Sequence, residues 1–142
     1  MVERNLIISK AGVVRQHLRR VEEKCGPDAE SFLKDRDLQD IVSFNLQSAI
    51  QSCIDIAAHI VSDEGMGVPG SFNEMFYLLE ENKYLSSELT EKMVKAAGFR
   101  NLLVHEYGKL DLKQVFEIAK HSARDLNQYL AAIFSKLGIF DG

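Results

Sequence analysis

A chain of 142 residues with a formal charge of -4 and a pI of about 5.6 fits one domain, 1–142, and such a chain buries about two-thirds of its unfolded surface. The acidic balance argues against a general nucleic-acid coat protein, leaving only a local basic patch for such contacts. The start MVERNLIISK lacks the parts of a secretory signal, and Cys25 and Cys53 match no metal or redox spacing, so a cytoplasmic protein with reduced thiols is expected.

Residues 4–24 carry Leu6, Ile7, Val13, Val14, Leu18 and Val21 at helical spacing, and Gly26-Pro27 ends that run. A longer stripe follows over 36–63, through Leu38, Ile41, Val42, Leu46, Ala49, Ile50, Cys53, Ala57, Ile60 and Val61. The breakers cluster in GMGVPG, 65–70. Ser71 with Glu74 has capping-box spacing and predicts a short helix to about residue 82. Ser86 or Ser87 can cap a helix reaching about residue 107. Gly108, then Asp111 with Gln114, mark a stop and a new start, and the last helix runs to about 137, closed by Gly138. No segment alternates like a strand, and no phosphate-binding glycine loop or repeat occurs. The expected fold is an all-α, up-and-down bundle of four main helices plus a short one.

Between Asp40 and Asp63 the only charged residue, with His taken as neutral, is Asp55. A surface helix of that length normally shows a charged face. The side opposite the apolar stripe reads Asn45, Ser48, Ser52, Asp55 and His59, too polar for a membrane span. Two readings fit: a central bundle helix with a polar edge, or a face that meets a second subunit or lines a cleft.

The stretch RNLLVHEY, 100–107, carries the chemistry. On a wheel of about 100° per residue, Leu89, Met93, Ala96, Ala97, Leu103, Val104 and Tyr107 fall within about 60° of Arg100. An arginine in an apolar stripe is costly unless it is paired or opens on a cleft. Asp55 and Glu106 are its candidate partners. Asn101 and His105 share a flank about 100–140° from Arg100 on the same wheel. The guanidinium fork suits phosphate oxygens, and histidine exchanges protons near neutral pH. Together they can support cleavage of RNA, whose 2′-OH is the nucleophile, with no metal and a 2′,3′-cyclic phosphate as product. One base and one acid are wanted and each chain offers one motif histidine, so a symmetric dimer would supply both. From these residues alone a merely paired Arg100 beside a satisfied His105 is the favoured reading, with the cleavage site as its alternative.

FRNLLVHEY resembles the signature of the HEPN superfamily, an arginine, four to six residues, then a histidine. The form here, Arg-Asn, three residues, His, one residue, Tyr, looks like the HepT-type toxin branch. IVSFNLQSAIQSCIDIAAHIV resembles that branch's second helix, and GVPGSFNEMFYLLEENKYLSSEL its middle section. The resemblance spans roughly 36–130, with no departure at Arg100, Asn101, His105 or Tyr107. It implies a HEPN-like helical homodimer acting as a ribonuclease toxin, with Arg100 and His105 as the active pair and Asn101 shaping the site. It also implies a minimal nucleotidyltransferase (MNT) antitoxin that transfers AMP from ATP to Tyr107, blocking the site by bulk and charge. The rival expectations are a HEPN-type dimer that binds a nucleotide or a partner without cleaving, and a structural dimer bridged by Arg100.

Other features are weaker. Arg15, Arg19, Arg20 and Lys24 form a basic edge that reads as a solvated face or as an RNA or antitoxin contact. Lys92, Lys95 and Lys109 flank the motif. His17 and His121 are expected to be exposed. His59 with Asp55 is too little for a metal site, and no metal or cofactor is expected. Tyr77, Tyr84 and Tyr129 fit helix packing.

Overall fold

A computed structural model describes residues 2–140. The helices are α1 (Arg4–Cys25), α2 (Ala29–Lys34), α3 (Arg36–Asp63), α4 (Phe72–Glu81), α5 (Ser87–His105) and α6 (Leu112–Leu137), with a 3-10 turn at Tyr107–Lys109. No β-strand occurs among the described residues. The architecture is the expected all-α bundle, with one added short helix.

Local chemistry sets most boundaries. On α1 the buried positions are Ile7, Ala11, Val14, Leu18, Val21 and Cys25. Steps alternating between four and three residues make a narrow coiled-coil-like seam, and α1 lays it along α3. Gly26 then turns the chain at a φ of 72°, where glycine carries no steric penalty. Asp28 accepts from Ser31 N at 2.9 Å and starts α2, a helix the apolar pattern does not reveal because it is a single capped turn and a half. Its Phe32 is fully buried, 5.5 Å from the Phe116 ring.

Asp35 caps α3 by accepting from the Asp37 and Leu38 amides. Ser71 accepts from Glu74 N at 3.1 Å, while the Glu74 carboxylate reaches back to Gly70 N at 2.6 Å, one residue before the usual capping-box partner. Ser86, rather than Ser87, caps α5 by accepting from Leu89 N. Asp111 caps α6, and Gly138 ends it in the left-handed conformation at φ 67°.

Every other α-helix touches α3, which accounts for its lack of charge. Its polar side is turned to α1 of the same chain: His17 Nδ1 lies 2.8 Å from Asn45 Oδ1, and Lys10 Nζ lies 3.7 Å from Asp55. Because Asn45 Nδ2 donates to the Ile41 carbonyl, its Oδ1 is the acceptor and His17 donates from Nδ1. Of the two readings of α3, the central helix holds for these residues. His17, expected to be exposed, is partly covered by this contact. One hydrophobic core runs through all six helices. Within it Tyr129 is fully buried, stacks edge-on against Phe76 and donates to the Cys53 carbonyl at 3.0 Å. Cys25 and Cys53 are free and buried. Among the described residues no helix is long and apolar enough to cross a membrane.

Candidate active site

The site is built at the C-terminal end of α5. Ala97, Phe99 and Leu103 are buried and anchor that end against the core, while Leu102 and Val104 are each 38% exposed. The helix stops at His105, two residues earlier than its apolar pattern suggests. Glu106 leaves helical geometry at φ -134° and ψ 35° while its N–H still donates to the Leu102 carbonyl. His105 therefore stands exposed in the last turn.

Arg100 is half-buried one and a half turns earlier. Its Nη1 donates to Asn101 Oδ1 at 3.1 Å, and its guanidinium lies 5.9 Å from the centre of the Phe72 ring, at the start of α4. Its Nε is buried with no hydrogen-bond partner. The expected pairing with Asp55 or Glu106 does not occur. Asp55 sits against Lys10 and accepts from Gln51 at 2.9 Å, because α1 covers that part of α3. Arg100 thus forms no ion pair among the described residues. A cation held by an aromatic face and an amide oxygen keeps its charge for a ligand.

Tyr107 departs from the wheel. It opens the 3-10 turn instead of continuing α5, so its side chain folds back towards α3. The hydroxyl donates to the Asp40 carboxylate, and the ring is 38% exposed. Burial first, and the bond to Asp40 second, push the phenol above its ordinary ionisation range. A hollow of about 340 Å³ opens here between α3 and the end of α5, lined by Arg36, Asp40, Ser43, Phe44, Gln47 and Tyr107 among others.

Arg100, Asn101 and His105 thus share one helix end, with Tyr107 just beyond it; Asp55 is elsewhere. Of the flanking lysines, Lys92 is already engaged with Glu88 and Asp125. His59 lies 3.1 Å from Asp63 rather than against Asp55. Phe72 and Asp40 were not singled out from sequence. Asp40 did carry a signal, as the last charge before the nearly charge-free stretch of α3. Nothing in the sequence joins Phe72 to an arginine 28 positions away.

The model of the family described as ribonuclease HepT-like matches residues 14–133, most of the chain and all of this site. The chain belongs to that family. Among its relatives, the mRNA nuclease HepT of Shewanella oneidensis is 34% identical over 129 residues, covering 91% of this chain and 96% of the relative. The tRNA nuclease HepT of Aphanizomenon flos-aquae is 28% identical over 136 residues, covering 96% of this chain and 92% of that one. The fold superposes on the tri-AMPylated Shewanella oneidensis HEPN toxin, solved in complex with its MNT antitoxin, with a TM-score of 0.86, 32% identity and coverage of 94% of this chain and 99% of that one.

Proposed function

We propose that this chain is the toxin of a toxin–antitoxin pair, a cytoplasmic endoribonuclease that cuts RNA without a metal and works as a homodimer. The observation that carries the reading is Arg100: half-buried, without a carboxylate, its Nε unpartnered, five residues from an exposed histidine. The nuclease names of the two HepT relatives support the same activity.

In this reading Arg100 binds the scissile phosphate and stabilises the charge that builds on its oxygens as the adjacent 2′-OH attacks. Asn101 holds the guanidinium in place. His105 takes the 2′-OH proton, and the same histidine from a second copy protonates the departing 5′ oxygen, leaving a 2′,3′-cyclic phosphate. Proton transfer of this kind contributes about 10²–10⁴-fold. A dimer would also cover Leu102 and Val104, whose side chains are exposed beside the motif. The silencing partner is a nucleotidyltransferase antitoxin that adenylylates Tyr107, a reading supported by the AMPylated toxin–antitoxin complex that the fold matches.

RNA incubated with the purified chain in EDTA tests this. Cleavage to cyclic-phosphate ends is expected, with loss of activity in His105→Ala at an unchanged melting temperature. Intact RNA under every condition, with unmodified protein, would replace the nuclease with a binding module of the same fold.

A further inference from the structure

Tyr107 does not stand free on the surface. Its hydroxyl is already bonded to a carboxylate 67 positions away in sequence, on a different helix. One Asp40 oxygen accepts from the phenol, and the other lies 4.0 Å from Nε of Arg36, one turn earlier on α3. Ser43, in the next turn, places a buried Oγ without an ordinary hydrogen bond towards the same phenol. The charged groups facing the hydroxyl are thus Asp40 and Arg36, both from α3.

A phenol attacking phosphorus must lose its proton as the new bond forms, and a protonated tyrosine is a weak nucleophile. The environment here holds that proton more tightly than usual. Efficient transfer therefore needs a base in contact with the hydroxyl, and Asp40 is in contact with it. The hollow beside the pair leaves the ring half-exposed for an incoming nucleotide.

We propose that Asp40 is the general base for modification of Tyr107, so that the toxin itself supplies a catalytic group for its own silencing. The inference rests on the reading above that Tyr107 accepts AMP. In the step, Tyr107 Oη bonds to the α-phosphorus of ATP while the bond from that phosphorus to the α,β-bridging oxygen breaks. Pyrophosphate leaves with the electron pair, and the phenolic proton passes to Asp40 Oδ1. The ester that results can no longer donate to Asp40, and the phosphodiester and carboxylate repel each other. Arg36 is the cation placed to sit between them.

The test is single-turnover adenylylation by the chain's own nucleotidyltransferase antitoxin and ATP, read by intact mass. Wild type is compared with Asp40→Asn, Asp40→Ala and Tyr107→Phe, with folding checked by circular dichroism and thermal melting. Asp40→Asn keeps an acceptor oxygen but takes no proton. Its rate at saturating antitoxin should fall on the order of a hundredfold. Antitoxin affinity should be unchanged, and the rate should recover as rising pH ionises the phenol without help. An Asp40→Asn rate within about threefold of wild type across the pH range overturns the base assignment, even if Asp40→Ala is slow, because orientation alone would then suffice. A wild type that gains no mass, or a Tyr107→Phe that gains as much as wild type, instead overturns the acceptor reading beneath it.

Discussion

Two parts of this molecule bring polar side chains into apolar packing, with opposite outcomes. On its inner sides α3 gives several polar groups partners: Asn45 with His17, Asp55 with Lys10 and Gln51, and the Cys53 carbonyl with Tyr129, while the buried Ser43 Oγ and Gln51 Oε1 have none. At the end of α5, Arg100 keeps a buried Nε unsatisfied and no counter-charge, although an unpaired buried donor costs about 1–3 kcal/mol. The first arrangement is what a folded core requires. What sets Arg100 apart is charge: the Ser43 and Gln51 oxygens each leave a neutral hydrogen bond unmade, whereas Arg100 leaves a cation unpaired, which is what the proposed phosphate-binding role uses.

The strongest test of that contrast is Arg100→Ala. RNA cleavage should drop about 10²–10³-fold, as for removal of one preorganised donor to transition-state charge. The melting temperature should stay the same or rise, since an unsatisfied group is removed. Initial rates and calorimetry on one preparation decide it; a large loss of stability would mean that Arg100 belongs with the α3 contacts after all.

A smaller effect comes from the α3 interior. Burial, helped by the charge of Asp55, holds the Cys53 thiol far above its ordinary range. The unfolded thiol ionises near 8.5. Stability is therefore full below that pH and falls as pH rises towards the folded value, by about 1.4 kcal/mol per pH unit for one proton. Tyr129, also raised by burial, adds the same slope above about pH 10. Denaturant midpoints from pH 8 to 11 should show this two-stage loss, with Cys53→Ala weakening only the first stage, to which the buried Cys25 thiol, also raised, adds its share. At neutral pH Tyr129→Phe should cost about 1 kcal/mol by removing the hydroxyl's bond to the Cys53 carbonyl, with cleavage unaffected.

How far these contrasts are legible in sequence depends on range. Periodicity and caps act within a turn or two, so α1, α3, α4 and α6 are readable from their own residues. The single turn and a half of α2 offers too few positions for a period. The α5 boundary fails for a different reason. Val104 and Tyr107 continue the apolar stripe, yet Val104 is exposed and Tyr107 has left the helix to bond Asp40. The stripe there reflects an open face rather than a core. The placement of Asp55 was missed because charge complementarity names possible partners without ranking them. Only the packing of α1 on α3 puts Lys10 ahead of Arg100.

That last choice gives the most delicate prediction. Asp55→Asn removes a pair whose side chains are 33% and 41% exposed at 3.7 Å, and exposed pairs of this kind are worth about 0–1 kcal/mol. The amide keeps an oxygen for Gln51, so the loss should be a few tenths of a kcal/mol, smaller still in high salt because the charges are screened. Lys10→Met should match it, and the double variant should cost little more than either single one, since both remove the same interaction. If Asp55→Asn instead slowed RNA cleavage tenfold with stability intact, Asp55 would be acting on Arg100 in the working enzyme. The line drawn between the partnered α3 face and the open end of α5 would then have to move to include it.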